Sequence, residues 1–343
     1  MTTPTALPTV TLGLTDLRIT RVGFGAWAVG GGGWAFGWGR QDDEESVAAI
    51  RHAVEAGVNW VDTAAAYGLG HSEEVVARAL ADLPEADRPY VFTKCGLVGD
   101  PVDPMRPARR VGDPASIRRE VEESLRRLRV ERIDLYQVHW PPEDGTPIER
   151  TWQAMLDLKD EGKIRAAGVS NFSVAQLEAA RTVGRVDTLQ PPFFPIARQT
   201  AADLLPYCRA HEIGVIVYSP MHSGLLSGAW SPERTRRLDE DDWRRRSADF
   251  TGDGLRRNLA VAETLRAVGE RHGVGAGAVA VAWTLAFDGV GGAIVGARRP
   301  AQVDGWLPAA TLRLTRADLD EIERALVETG AGRGPRHPAG TGS

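Results

Sequence analysis

Cysteine is nearly absent, with Cys95 and Cys208 the only two in 343 residues. Two thiols cannot build a disulfide framework and suit a reducing compartment. Both are expected as small buried apolar side chains rather than reactive groups. No run approaches the roughly 18 apolar residues of a membrane span. The opening MTTPTALPTVTLGL has neither the basic start nor the apolar stretch of a secretory signal, so a cytoplasmic location is expected and no membrane partner. An excess of basic charge is also missing. A formal charge of -5 and a pI near 5.9 argue against nucleic acid as a partner and leave a local patch for an anionic cofactor. The seven histidines are scattered, with no His-x-His pair and no second carboxylate at ligand spacing from His139, so no metal site is expected.

What is present is enough apolar residue, 43% of the chain, to bury one large core. From residue 22, short β-rich runs alternate with amphipathic helical stretches, the pattern of parallel strands joined by crossover helices. Eight such runs occur: VGFGAW from 22, NWVDTA from 59, YVFTKCG from 90, IDLYQVH from 133, IRAAGVS from 164, DTLQPPF from 187, GVIVYSP from 214 and GGAIVGA from 291. Helices are expected between them, among others at 43–56, 115–129, 147–161, 202–211 and 258–272, several opened by Asp, Ser or Thr and closed by Gly. Eight units without a composition break suit one closed (β/α)₈ barrel over residues 1–328, an α/β fold. Residues 9–20 read as a hairpin plugging the barrel bottom. The charged, Trp-bearing stretch 227–257 reads as a lid over a site, and the Gly/Pro-rich residues 329–343 as a disordered tail.

In a parallel barrel the loops after the strand ends build the site. Asp62, Lys94 and His139 end the second, third and fourth runs, each two positions after an apolar or amide residue on the same face, and Tyr67 opens the loop after Asp62. Taken singly, each has a structural explanation: a turn cap, a half-buried aromatic, a solvated strand end, a satisfied core histidine. Four polar groups at successive strand ends form a site, because a barrel core has no structural need of them. A buried Lys94 beside Tyr67 is expected to favour the phenolate and lower its pKa from about 10. Asp62 would keep Lys94 charged, and His139 would orient a substrate oxygen.

The segments VDTAAAYGLGHSE, FTKCG, IDLYQVHWP, GVSNF, LQPPF and YSPMHSGLLSG resemble successive motifs of the aldo-keto reductase family, in that family's order and spacing, from about residue 9 to 327. The resemblance implies that Asp62, Tyr67, Lys94 and His139 form the family's catalytic tetrad. Tyr67 would be general acid in reduction or general base in oxidation, with hydride passing between nicotinamide C4 and the substrate carbon. It further implies that Ser170, Asn171 and Gln190 bond the nicotinamide carboxamide, with Phe193 stacked beneath the ring where the family more often has Tyr. Tyr218, Ser219, Pro220, Met221, Ser223, Leu225 and Gly228 would wrap the pyrophosphate, through backbone N–H groups of small residues. Gly296, Ala297 and Gln302 depart from the family's 2′-phosphate segment, while Arg298 or Arg299 can still meet a phosphate with a charge-assisted fork. NADP(H) is therefore the expected cofactor, with NAD(H) the alternative.

Trp27, Trp34, Trp38 and Trp140 are expected to line a substrate pocket for a small carbonyl compound or sugar. Gly23-Phe24-Gly25-Ala26-Trp27-Ala28 fits the G-x-G-x-x-A dinucleotide fingerprint. The run Gly30 to Gly33 that follows cannot open the helix such a site needs, so a Rossmann fold is not expected. Two other functions share this fold: oxidation of a sugar or polyol, and a slow or non-catalytic cofactor-binding sensor like the channel-associated β subunits. The stretch Leu238-Asp239-Glu240-Asp241-Asp242-Trp243-Arg244 resembles a loop of some bacterial family members.

Overall fold

The structure is a computed structural model that describes residues 6–239 and 242–338. Its strands, in chain order, are β1 (Thr9–Thr11), β2 (Arg18–Thr20), β3 (Val22–Gly25), β4 (Trp60–Asp62), β5 (Tyr90–Cys95), β6 (Leu97–Val98), β7 (Arg109–Arg110), β8 (Ile133–Val138), β9 (Ile164–Ser170), β10 (Thr188–Gln190), β11 (Gly214–Tyr218) and β12 (Val290–Gly296). Strands β3, β4, β5, β8, β9, β10, β11 and β12 pair in parallel and close on themselves, β12 returning to β3. These are the eight runs anticipated from sequence, and with the helices around them they form a (β/α)₈ barrel.

Helices follow the strands where caps and patterning place them: α1 (Asp43–Glu55), α2 (His71–Leu80), α3 (Pro114–Leu128), α4 (Ile148–Asp160), α5 (Val174–Arg181), α6 (Leu204–Ala210), α7 (Pro232–Arg236), α8 (Gly252–His272), α9 (Ala276–Leu285), α10 (Pro300–Trp306) and α11 (Arg316–Thr329). The Asp42 carboxylate accepts from Glu45 N at the start of α1, and acidic Asp43, Glu44 and Glu45 fill its first turn, which suits the positive end of the helix dipole. At α3, Asp113 caps Ser116 N and Pro114 takes the first position, where its missing N–H is not needed. Helix α8 begins six residues before the expected 258. Its early glycines are poor helix formers, yet a Cβ on Gly254 would fall 1.9 Å from the Ala248 carbonyl. Bareness there lets the helix start pack against the preceding loop.

The hairpin β1–β2 closes the barrel bottom as expected, with Thr9 to Thr11 paired antiparallel to Thr20 to Arg18. Leu12, Leu17 and Ile19 are fully buried and join Trp60, Phe92, Leu135, Ala166, Ile216 and Ile294 in one inner cluster. The Gly23 and Gly25 of the apparent fingerprint serve this interior. A Cβ on Gly23 would lie 2.1 Å from Trp60 Cε2, and one on Gly25 would lie 2.7 Å from Ile294 Cγ2.

The tail departs from expectation. Residues 330–338 are described and tied down by the fully buried Arg198, whose backbone N–H donates to Arg333 O at 2.9 Å. Its Nη1 donates to Pro195 O and to Ala331 O, the latter at 3.1 Å. The glycines here mark close approach: a Cβ on Gly332 would sit 2.1 Å from Ile196 O, and one on Gly334 2.4 Å from the Arg198 carbonyl carbon. The remainder of the expected tail, 339–343, lies outside the described residues. No described helix is long and apolar enough to cross a membrane, and both cysteines are buried.

Candidate active site

Asp62 closes β4, Lys94 lies one residue before the end of β5, and His139 follows β8, so three neighbouring strands deliver these groups to one end of the barrel. Lys94 Nζ donates to Asp62 Oδ1 at 2.5 Å and to Thr63 O at 2.8 Å, and stands 3.5 Å from Tyr67 Oη. The Tyr67 and His139 rings meet edge-on with centroids 5.7 Å apart. The four polar residues expected to form a site are therefore brought together. Asp62 spends its other oxygen on two amides, Gln190 Nε2 at 2.9 Å and Gln137 Nε2 at 3.3 Å.

The electrostatics correct one expectation. Burial pushes the Tyr67 phenol well above its ordinary value, and the Asp62 carboxylate adds to the rise. The Lys94 ammonium is committed to Asp62 and Thr63 O, so it does not outweigh desolvation. Tyr67 is accordingly a protonated phenol at neutral pH. Burial draws the Lys94 pKa down, opposed by the Asp62 charge and hydrogen bond. Burial and the nearby Lys94 charge hold His139 well below the imidazole range, so it is neutral. Its Nδ1 is buried without a partner among the described residues, while its backbone N–H donates to Cys95 O at 2.9 Å.

A cavity of about 1650 Å³ runs across this end of the barrel, well beyond the roughly 300–1,000 Å³ of an ordinary ligand pocket. It has room for a dinucleotide and a small second molecule together. Asp62, Tyr67, His139, Ser170, Asn171 and Gln190 line its middle. The Asn171 Nδ2 donates to His139 O at 3.0 Å and to Ser170 Oγ at 3.1 Å, and its Oδ1 accepts from Tyr218 Oη at 2.8 Å. Beyond them, Ser219, His222 and Ser223 take positive φ and Gly224 φ +87°, folding the chain after β11 into a tight loop along the wall. The turn is closed by the N–H groups of His222, Leu225 and Leu226, which donate to Ser219 O, His222 O and Met221 O, and Ser219, Ser223 and Gly224 line the cavity. Pro220, Met221, Gly296, Arg298 and Gln302 also line the wall.

Three assigned residues do not reach the cavity. Phe193 is fully buried, packed between Trp283 and Phe287 at ring separations of 5.8 and 4.8 Å, because the chain turns inward after Pro192. Tyr218 presents the aromatic ring to the cavity instead. Leu225 is buried in the core, and Gly228 is outside the lining, although its neighbours Ser227 and Ala229 are within it.

On the other side of Tyr67, Trp27, Trp34, Trp38 and Trp140 line the cavity as expected. The Trp27 ring stacks against Tyr67 at 6.2 Å and Trp34 approaches it at 6.3 Å. Their indole N–H groups donate to Phe36 O and Gly31 O, so these walls are apolar faces. The stretch after Gly228 folds over the cavity through Arg244, which the sequence reading did not single out. Its guanidinium lies 4.7 Å from the Trp38 ring and 5.1 Å from Trp230, and pairs with Asp242 at 2.6 Å. Glu240 and Asp241 of this stretch lie outside the described residues. Arg298 makes a second bridge, from Nε to Gln41 Oε1 and from Nη2 to Arg40 O, with Gln41 Nε2 returning to Arg298 O at 2.9 Å. Trp306, Gly275 and Gly277 at the cavity wall were also missed, their segments carrying no motif. The metal-compatible group Asp320, Glu323 and His337 is not part of this lining.

Comparison with known proteins identifies the family. The model of the aldo/keto reductase family matches residues 21–327. The chain is 36% identical to aldo-keto reductase YhdN of Bacillus subtilis (92% of each chain covered) and 34% identical to the NADH-specific methylglyoxal reductase of Escherichia coli (92% of this chain, 98% of the relative). Among solved structures, the glycerol dehydrogenase AKR11B4 of Gluconobacter oxydans superposes with a TM-score of 0.85 at 38% identity, covering 96% of this chain and 98% of that one. An aldo-keto reductase of Klebsiella pneumoniae in complex with NADPH gives 0.68 at 25% identity, covering 93% and 95%. The chain belongs to the aldo/keto reductase family of NAD(P)(H)-dependent oxidoreductases.

Proposed function

We propose that this protein reduces small aldehydes, ketones or sugars with NADP(H), Tyr67 supplying the proton. The observation that carries the reading is the Tyr67 phenol, held protonated by burial and set between Lys94 Nζ at 3.5 Å and the His139 ring. When bound, the cofactor supplies a hydride at nicotinamide C4. The residues fit such a group. The turn after β11 offers backbone N–H groups to a pyrophosphate, Asn171 and Gln190 offer amides to a carboxamide, and Tyr218, which lines the cavity, takes the stacking role that the buried Phe193 cannot fill.

The neutral imidazole of His139 has one N–H to give, and donation to a substrate carbonyl oxygen polarises the C=O bond. As the oxygen gains charge, Tyr67 Oη transfers its proton to it. The phenolate left behind is stabilised by the Lys94 ammonium, whose charge Asp62 maintains. Trp27 and Trp34 exclude water on the outer side and present apolar faces to the substrate's carbon skeleton.

Preference for NADP(H) rests on arginine at the cavity rim. Arg298 is held in place by Gln41 and Arg40 O, and exposed Arg299 has no ion-pair partner among the described residues. The name of the methylglyoxal reductase relative supports NAD(H) as the second cofactor, and that of the glycerol dehydrogenase neighbour supports polyol oxidation as the second direction. A panel of carbonyls with NADPH and NADH, and of polyols and sugars with NADP⁺ and NAD⁺, decides both. Carbonyl reduction with NADPH is expected to have the highest kcat/KM. Turnover confined to polyols, or multiple turnovers on nothing, overturns the reading, and an Arg298→Ala, Arg299→Ala variant that keeps its NADPH affinity overturns the phosphate contact.

A further inference from the structure

We propose that Gln137 is a positioning residue that fixes which way round the Gln190 amide faces the cavity. The inference rests on the reading above, in which Gln190 meets the nicotinamide carboxamide. Gln137 is fully buried in β8, and its amide closes a ring of three side chains. Its Nε2 donates to Asp62 Oδ2 at 3.3 Å, its Oε1 accepts from Gln190 Nε2 at 3.1 Å, and Gln190 Nε2 also donates to Asp62 Oδ2 at 2.9 Å. Space for Gln137 is provided by Gly168 on the neighbouring strand, where a Cβ would sit 3.2 Å from Gln137 Cγ and 2.1 Å from Thr188 Oγ1.

An ionised carboxylate only accepts hydrogen bonds. With Lys94 against its other oxygen, Asp62 draws the nitrogen of both amides toward itself. The second N–H of Gln190 then goes to Gln137 Oε1, and an amide has only two. Both Gln190 donors are spent, so toward a ligand it presents an oxygen. The adjoining Asn171 Nδ2 is spent likewise on His139 O and Ser170 Oγ. This part of the cavity therefore accepts hydrogen bonds, and favours a ligand group that donates, the NH₂ of a carboxamide, over a methyl ketone or a carboxylate. Without Gln137, one Gln190 N–H loses its acceptor and the amide is free to turn and donate.

The test compares dissociation constants of the full-length protein for NADP⁺, its 3-acetylpyridine analogue and its nicotinic-acid analogue by titration calorimetry. Wild-type protein is expected to favour the carboxamide over the methyl ketone by about fivefold, the worth of one neutral hydrogen bond, and to bind the carboxylate more weakly still. Gln137→Met, or Gln137→Leu if the first does not fold, is expected to bring the carboxamide-to-ketone ratio below about twofold, chiefly by gaining affinity for the ketone. Wild-type preference that the variants retain overturns the role of Gln137 alone, as does an equal loss for both ligands, which a purely structural residue would give. A wild-type protein that binds all three forms equally overturns the seat at Gln190 and this role together.

Discussion

Lys94 Nζ lies 2.5 Å from Asp62 Oδ1, with both side chains buried beneath the mouth of the barrel. Each charge costs several kcal/mol to take out of water, and their mutual contact and added hydrogen bonds offset that cost. Removal of one partner leaves the other uncompensated. Lys94→Met is expected to lower the unfolding free energy by roughly 3–5 kcal/mol in urea denaturation. The double variant Lys94→Met, Asp62→Leu should be clearly more stable than the single one, and an equally unstable double variant would assign the loss to packing.

Tyr67→Phe deletes the proton and leaves the cavity's shape. Carbonyl reduction should fall by about 100-fold or more, while cofactor affinity, read by fluorescence titration, stays within roughly twofold. The raised phenol pKa also sets a sign. A group protonated across the neutral range donates without pH dependence, so wild-type reduction should be flat between about pH 6 and 8, with His139 neutral throughout. Oxidation of an alcohol needs the phenolate, and its kcat should climb as pH rises.

Glu120 provides a stability prediction away from the chemistry. It accepts from Gly96 N at 2.8 Å and from Ser116 Oγ at 3.1 Å behind β5, and burial pushes its carboxyl from 4.5 up to about 7. A folded pKa above the unfolded one means that the folded state holds the proton more tightly. The associated stability is present in full below about pH 4.5 and is lost as pH rises through about 7. Glu120→Gln keeps an acceptor for Gly96 N and removes the titration. Its melting temperature should exceed that of wild type at pH 8 and approach it at pH 5, and a difference that does not change with pH would contradict the assignment.

Arg244→Ala removes the cation held over Trp38 and Trp230 and strands the Asp242 carboxylate beside the cavity. Cation–π contacts contribute about 0.5–2 kcal/mol, so cofactor release measured by stopped-flow fluorescence should quicken by about fivefold, with substrate KM little changed. An unchanged release rate would show that the stretch after Gly228 does not cover the cofactor end.

Much of this protein was legible before its structure. Strand runs and cap residues are local signals, set by side-chain shape and the period of burial, and all eight barrel strands were found from them. Asp62, Tyr67, Lys94 and His139 could be grouped because a parallel barrel puts every strand end on one face. Errors arose where meaning depends on a partner distant in sequence. Phe193, assigned beneath the nicotinamide ring, proved to pack on Trp283 and Phe287, and Gly332 and Gly334 of the Gly/Pro-rich tail proved to be close contacts with residues 196–199.

What the chain determined by itself was the order of elements and the identity of the polar groups at their ends. Only the folded arrangement decided what surrounds each group. It turned Phe193 into the core and left Tyr218 at the cavity. It brought Arg244 and Arg298, far apart in the chain, to the wall of one cavity. It also surrounded the Tyr67 phenol with apolar rings and Asp62, so that desolvation, which no sequence window contains, outweighs Lys94 and keeps the proton in place.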